Sequence, residues 1–139
     1  MKSKAPLSLM EQLIMLLVFA LAAALCLQVF VLSGRVSRSC ETKSNAVAAV
    51  QSVAEITKAC KGDPEQLEQF LGGSDIAGTW QLGYNENWEQ TAPSQAYYLV
   101  NIKPVPTENP VLGSAEVSAH SPDGTLFSVT VSWQEVAYE

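Results

Sequence analysis

Residues 13–32 read LIMLLVFALAAALCLQVFVL, and Gln28 is the only polar residue among these twenty. A helix rises ~1.5 Å per residue, so this stretch matches the ~30 Å hydrocarbon core of a bilayer. A cleaved secretory signal is the alternative, but its apolar region is only ~7–15 residues long. Cleavage after Ala20-Leu21-Ala22 would leave about ten further apolar residues on the new N-terminus. The sequence therefore favours an uncleaved membrane span.

The composition separates an apolar N-terminal part from an acidic C-terminal part. Apolar residues make up 47% of the 139 residues, which argues against disorder. From residue 62 to the end there are eleven Asp and Glu residues against one base, Lys103, a net charge of −10. Nucleic-acid binding depends on clustered Lys and Arg, so we expect no nucleic-acid partner. The sequence has no D-x-D-x-D-G calcium loop, and we interpret the acids as solvated surface.

A helical pattern continues beyond the apolar stretch to about residue 61. Ser33-Gly34 is a soft point, since a glycine inside a helix costs about 1 kcal/mol. Gly62 is suited to end the helix, and Pro64 prevents it from continuing. The apolar face of this continuation has residues spaced three and four apart, namely Ala46, Ala49, Val50, Val53, Ile56, Thr57 and Cys60. We expect this face to pack on the rest of the chain, and a short second helix to follow at residues 63 or 64 to 71.

The remainder of the chain alternates with a period of two, which is typical of strands with one buried face. Four stretches show it, at residues 80–84, 96–102, 115–120 and 127–134, and turn-forming residues separate them. A sheet of this size needs a helix to cover it. The sequence therefore predicts an α+β fold, in which a long N-terminal helix packs against a C-terminal antiparallel sheet of about four strands.

The sequence offers no set of residues for catalysis or for a cofactor. His120 is the single histidine, and neither a G-x-S-x-G motif nor paired metal-ligand spacing accompanies it. We expect no enzymatic activity, no cofactor and no metal. Cys40 and Cys60 lie ~30 Å apart if one unbroken helix holds both, too far for a disulfide. A bridge between two subunits through Cys40 and unpaired thiols both stay open.

The most specific pattern lies just before the apolar stretch. A short basic leader, Met1 to Lys4, is followed by Leu7-Ser8-Leu9-Met10-Glu11 and then by the apolar helix. This arrangement resembles the N-terminus of type IV pilins and of the pseudopilins of type II secretion. In that family the mature chain begins with an apolar residue, a small hydroxylated residue, two apolar residues and a glutamate. The resemblance covers residues 1–35 in detail and the rest in architecture only.

The resemblance implies four segments and a role for each. Residues 1–6 are a leader that a prepilin peptidase removes, 7–32 the transmembrane and assembly helix, 33–61 its extracytoplasmic continuation, and 62–139 a short helix with a β domain. Glu11 would pair with the free amine of Leu7 in a neighbouring subunit. From the residues alone, Glu11 could instead lie at the membrane interface or favour the positive end of the helix dipole. The assembly and processing residues are then Pro6, Leu7, Ser8 and Glu11.

The chain departs from the family pattern at Pro6, where the leader normally ends in glycine. Proline restricts its own φ and the residue before it, so both a cut and an uncut N-terminus stay open. Basic residues lie on both sides of the span, so charge does not decide orientation. The resemblance implies a cytoplasmic N-terminus and an extracytoplasmic C-terminal domain in a single-pass protein of the cell membrane.

We therefore expect a pilin-like or pseudopilin-like subunit that assembles into a type IV pilus-like filament or a secretion pseudopilus. Its partners would be the membrane, copies of itself or other pilin-like subunits, the prepilin peptidase and an inner-membrane platform protein. Two alternatives stay open. One is a membrane-anchored extracytoplasmic binding module that does not polymerise, and the other is a secreted domain released by signal peptidase.

Overall fold

The computed structural model describes residues 5–135, which form an α+β fold as predicted. Two helices precede an antiparallel sheet of six strands, rather than the four predicted. A short 3-10 turn at Pro93–Gln95 lies between the third and fourth strands. In chain order the elements are α1 Ala5–Ala59, α2 Pro64–Leu71, β1 Ser74–Ile76, β2 Thr79–Tyr84, β3 Gln90–Thr91, β4 Tyr98–Pro104, β5 Leu112–Ser121 and β6 Gly124–Gln134.

The chain divides into two compact units, Met1–Glu41 and Thr42–Glu139. The described part of the first unit is helical throughout and consists of the beginning of α1. The second unit, called the head below, contains the remainder of α1, α2 and the sheet.

The helix α1 begins at Ala5, two residues before the predicted assembly helix. It passes through Ser33 and Gly34 without interruption, as the helical pattern that continues to about residue 61 predicted. The physical reason is cooperativity, since helical turns on both sides outweigh the cost of one glycine. The predicted C-terminus is confirmed within one turn, because the Gly62 amide, at φ +70°, donates to the Thr57 carbonyl at 3.0 Å.

The helix α2 has the bounds that its sequence predicts, because each end carries a suitable residue. The Asp63 carboxylate precedes the helix and accepts a hydrogen bond from the Glu65 amide at 3.3 Å. Pro64 occupies the first turn, where its missing N–H costs nothing. Gly72, at φ +69°, ends the helix.

The sheet has the strand order β1-β2-β4-β5-β6, and β3 pairs with β2 beside β1. The four predicted strands correspond to β2, β4, β5 and β6. The two additional strands are three and two residues long, too short for an alternating pattern to be recognised. Ala77 and Gly78, both with positive φ, form the two-residue turn between β1 and β2.

The core of the head lies between the second part of α1 and the sheet. The predicted helical face is largely confirmed, since Ala46, Val50, Val53 and Thr57 are buried. Ala49 and Ile56 are only half-buried, whereas Ala54 is buried although the spacing did not predict it. On the sheet the buried apolar residues are those of the predicted alternation in the inner strands, namely Leu82, Tyr98, Val100, Ile102, Ala115, Val117 and Ala119.

The strand β6 differs from the inner strands because it lies at the edge of the sheet. Its predicted inward face, Phe127, Val129, Val131 and Trp133, is only half-buried. Ala119 pairs with Phe127 and His120 with Thr125, so one extra residue of β6 bulges near the hairpin turn. From Phe127 to Gln134 the pairing with β5 is regular.

Candidate functional site

Between residues 13 and 32 the helix surface is apolar on every side, with Gln28 as the one polar side chain. Large apolar side chains from Leu7 to Val36 are exposed, and Phe30 reaches 80% exposure. A helix that is apolar all round, without a core to cover it, is typical of a membrane span. Length and composition make α1 the one helix of the described residues that could cross a membrane. A signal sequence near the N-terminus would meet the same criteria.

The predicted assembly and processing residues lie in the first two turns of this helix. Pro6 is its second residue, a place where the backbone N–H has no helical acceptor, so proline fits. Leu7 and Ser8 follow, and both are exposed. Glu11 lies four residues after Leu7 and three after Ser8, so all three share one side of the helix. These residues lie close together because they are consecutive or one helical turn apart in the sequence.

Within the described part of α1, no basic side chain lies near Glu11. It lies six residues after the start of α1, beyond the first turn, where the helix dipole favours an acid. The next basic residue along the described helix, Arg35, is ~36 Å away at ~1.5 Å per residue. The carboxylate is exposed. The exposed carboxylate of Glu11 is therefore accessible to a basic group outside the described part of this chain.

The head contains a cavity of about 400 Å³ between the end of α1, α2 and the sheet. Its apolar walls include Leu67, Trp80, Ile102, Ala115 and Trp133, and three exposed charged residues, Lys61, Asp75 and Glu135, also line it. Cavities of this size, apolar with a few polar groups, are common as small-molecule sites. Trp133 packs flat against Gly113, where a Cβ would lie 2.3 Å from the indole nitrogen, so only glycine fits.

His120 lies between two hydroxyl groups at the β5–β6 hairpin. Its Nε2 is 2.8 Å from the Ser118 Oγ and its Nδ1 is 3.1 Å from the Thr125 Oγ1. Whichever nitrogen carries the proton, both ring nitrogens have a partner. A hydrolytic Ser–His pair has a carboxylate on the other ring nitrogen to orient it, and here that place is taken by a threonine. The arrangement joins the two strands, and the sequence did not indicate it.

An aromatic cluster closes the core beside the β2–β3 loop. Trp88 stacks on Tyr98 with ring centroids 4.2 Å apart, and Tyr84 lies 6.0 Å from Trp88. The Asn85 side chain accepts hydrogen bonds from the Asn87 and Glu89 amides and thereby fixes the loop. Burial raises the pKa of Tyr84 above its ordinary value of 10.0. The sequence predicted a turn here but not the ring stacking, because contacts across the sheet leave no local pattern.

The three cysteines are free thiols. Cys26 and Cys40 are exposed along α1, and Cys60 is buried just past its end. Cys40 and Cys60 do not pair, as their spacing on one helix predicted. Within residues 5–135 no group of three or more His, Cys, Asp or Glu residues is arranged to hold a metal ion.

No protein-family model matches this chain, and neither the curated proteins nor the solved structures include a match to it. The N-terminal resemblance to pilins therefore stays a prediction.

Proposed function

We propose that this protein is a pilin-like or pseudopilin-like subunit, anchored by its N-terminal helix and assembled through that helix into a cell-envelope filament or secretion pseudopilus. The observation that carries the proposal is one acid, Glu11, in the motif Leu7-Ser8-Leu9-Met10-Glu11, directly before the exposed apolar stretch of residues 13–32.

The energetic cost of that carboxylate in an apolar environment favours assembly. A charge at the edge of a bilayer costs several kcal/mol unless it is paired or reaches the headgroups. The nearest base of the described helix is about 36 Å away, so within the described residues this helix supplies no partner for the carboxylate. The free amine of a neighbouring subunit would supply that partner and set the register between the two helices.

Packing of the helix surface supports the same proposal. The exposed leucine, valine and phenylalanine side chains of residues 7–32 surround the helix. In a membrane, lipid covers such a surface, and in a filament the helices of neighbouring subunits would cover it. The acidic head, with its own core, would remain outside the bundle.

The test replaces Glu11 with alanine in cells that assemble the filament. Glu11→Ala removes the charge and leaves the apolar helix intact, so membrane insertion should be unchanged while the subunit disappears from the sheared filament fraction. Gln12→Ala is the matched control and should assemble as the wild type does. Normal incorporation of Glu11→Ala would contradict the role assigned to this carboxylate.

A second candidate function is a membrane-anchored binding module that does not polymerise. Two observations favour it, namely Pro6 at the position where pilins have glycine and the cavity in the head. This candidate needs no processed N-terminus and no partner amine. The intact mass of the native protein separates the alternatives. Loss of residues 1–6 supports the pilin-like subunit, retention supports the anchored module, and loss of about twenty residues indicates a cleaved signal.

A further inference from the structure

The cavity in the head has two aromatic walls whose positions are fixed by their surroundings. Trp80 and Trp133 both line it, and both are half-buried. The Trp80 indole N–H donates to the Gly72 carbonyl at 2.9 Å. The Trp133 ring packs closely against Gly62 and Gly113, neither of which has a side chain. The two indoles are therefore held in place before a ligand arrives, which lowers the entropy cost of binding.

Neither indole has an N–H group free for a ligand. The N–H of Trp80 is already bonded, and the Trp133 Nε1 is buried without a hydrogen-bond partner among the described residues. The exposed side-chain surface of Trp133 is therefore carbon. The face of an aromatic ring is negative, and among aromatic side chains tryptophan attracts a cation best. The two walls thus offer a ligand electron-rich aromatic surface and no hydrogen-bond donor.

The hydroxyl groups in the cavity lining are also occupied. The Thr57 hydroxyl donates to the Val53 carbonyl at 2.7 Å, and the Ser114 hydroxyl donates to the Val131 carbonyl at 3.2 Å. A hydroxyl has a single proton to donate, so neither group has one left for a ligand. Among the described side chains that line the cavity, the Lys61 ammonium is then the one remaining donor.

Two carboxylates in the lining are available as acceptors. One oxygen of Asp75 accepts a hydrogen bond from the Gly78 amide at 3.1 Å. Neither Asp75 nor Glu135 forms an ion pair with a basic side chain of residues 5–135. A carboxylate has about four lone-pair sites, so most of the accepting capacity of both groups is unused. The cavity therefore has more free acceptors than free donors.

We propose that this cavity binds a small organic cation, a substituted ammonium whose apolar groups contact Trp80 and Trp133 and whose charge lies near Asp75 and Glu135. Aromatic walls recognise such groups through the attraction of the cation to the ring face. The cavity volume of about 400 Å³ lies in the range of small-molecule sites.

The charge around the cavity favours a cation over an anion. The lining has two carboxylates against one ammonium, that of Lys61, and the chain from residue 62 onward has a net charge of −10. A cleft with apolar walls in a domain of one sign concentrates ions of the opposite sign. An anion would pair with Lys61 alone and would be repelled by Asp75 and Glu135. A neutral apolar molecule would gain nothing from the two carboxylates.

The site uses residues of the head alone and goes beyond assembly through the apolar helix. It gives the second candidate function, the anchored binding module, a class of ligand, and a filament subunit with the same head would also have it. The Glu11→Ala variant should bind the cation as the wild type does. A failure of assembly and a failure of binding are therefore distinguishable.

The test compares choline with its neutral isostere, in which a tert-butyl group replaces the trimethylammonium group. The full-length chain in a nonionic detergent is titrated with each compound, and binding is measured by isothermal titration calorimetry. Choline should bind at least about tenfold more tightly, because the two compounds differ in charge and not in shape. Equal affinities, or no saturable binding of choline, would overturn the proposal.

Charge variants identify the groups that the cation meets. The double variant Asp75→Asn, Glu135→Gln should weaken choline binding about fivefold, since exposed charges contribute modestly. The asparagine can still accept the Gly78 amide, so the turn should persist. The matched control Glu86→Gln, Glu108→Gln removes two exposed acids that are not in the lining and should leave the affinity unchanged. Equal effects of the two double variants would overturn the assignment of the carboxylates.

Lys61→Gln separates a cation from an anion by the direction of its effect. It removes the positive charge from the lining and keeps a side chain of similar length. Choline binding should become about twofold to fivefold tighter, because a like charge has been removed. Weaker binding of choline by this variant would overturn the proposal.

Trp133→Leu tests the aromatic wall. It should weaken choline binding about tenfold and leave the weak binding of the neutral isostere unchanged. Tyr97→Leu, at an exposed ring outside the lining, is the control and should bind choline as the wild type does. If Trp133→Leu unfolds by tryptophan fluorescence, Trp80→Leu provides the same test, and if both unfold, the charge variants decide. Unchanged choline binding in a folded variant would overturn the proposal.

Discussion

In residues 7–32 of α1, leucine and phenylalanine side chains point outward in every direction, and Phe30 is 80% exposed. Between Ala46 and Thr57 the same helix buries only one side, and Val50 is fully covered by the sheet. The first stretch has no cover from the described chain, whereas the second is covered on one side by the head. The apolar surface of α1 therefore surrounds the helix in the first stretch and covers only one side of it in the second.

Because of this difference, substitutions in the two stretches should affect different properties of the protein. A change in residues 7–32 should alter insertion or assembly and leave the head's stability alone. A change in the buried side of residues 46–57 should alter the free energy of unfolding of the head. The three tryptophans, Trp80, Trp88 and Trp133, all lie in the head, so tryptophan fluorescence measures its unfolding selectively.

The largest effect is expected from a charge in the middle of the apolar stretch. Leu21→Arg should make membrane insertion less favourable by about 3–4 kcal/mol, because an arginine at the centre of a span is costly and the favourable leucine contribution is lost. The measurement is the fraction of protein in the membrane pellet after carbonate washing. Leu21→Ala is the control and should stay in the pellet. Release of the wild-type chain by the carbonate wash would show that this stretch is not a span.

A smaller effect is expected from a cavity beneath the sheet. Val50→Ala removes the two buried γ-methyl groups of Val50 and leaves a cavity. It should lower the free energy of unfolding of the head by about 2 kcal/mol. The measurement is denaturant unfolding in detergent, followed by tryptophan fluorescence. Leu25→Ala, at a side chain 62% exposed, should leave the unfolding curve unchanged. If Val50→Ala and Leu25→Ala lowered the free energy of unfolding equally, the buried and exposed stretches of α1 would not differ in their contribution to the stability of the head.

The smallest effect is expected at alkaline pH and only in the head. Burial raises the pKa of Tyr84 above 10.0, so the folded head favours the protonated phenol. The corresponding stability is fully present below pH 10 and is lost as the pH rises through the folded pKa. Tyr84→Phe removes this titration, so its unfolding midpoint should fall less between pH 9 and 11 than that of the wild type. Parallel pH profiles would contradict the assignment.

Local patterns predicted most of the secondary structure. The helix α2 follows from Asp63, Pro64 and Gly72, because caps act through groups that are close in the sequence. The inner strands follow from alternation, since one face of each is buried. The turn Ala77-Gly78 and the strands β1 and β3 were missed because they are too short to show a period. The helix α1 continues through Ser33-Gly34, as its helical pattern predicted, because the neighbouring turns outweigh the cost of one glycine.

The candidate assembly residues, unlike the contacts of the head, could be selected from the sequence. Pro6, Leu7, Ser8 and Glu11 are adjacent in the chain, so their spacing already places Leu7, Ser8 and Glu11 on one side of a helix. Other contacts could not be predicted, because no sequence pattern links the residues that make them. Examples are the hydrogen bonds of His120 with Ser118 and Thr125, and the stacking of Trp88 on Tyr98.

By itself, the sequence determined the apolar stretch, its acid at Glu11, the buried side of α1 and the alternation of the main strands. Each of these is a property of residues within a few positions of one another. Tertiary structure alone decided which strand lies at the edge, so that Val129 and Val131 are half-buried while Val100 and Val117 are fully covered. Burial depends on the neighbours that the strand order brings together. An edge strand and a central strand can have the same alternation of apolar and polar residues, so the alternation does not show which of them is central.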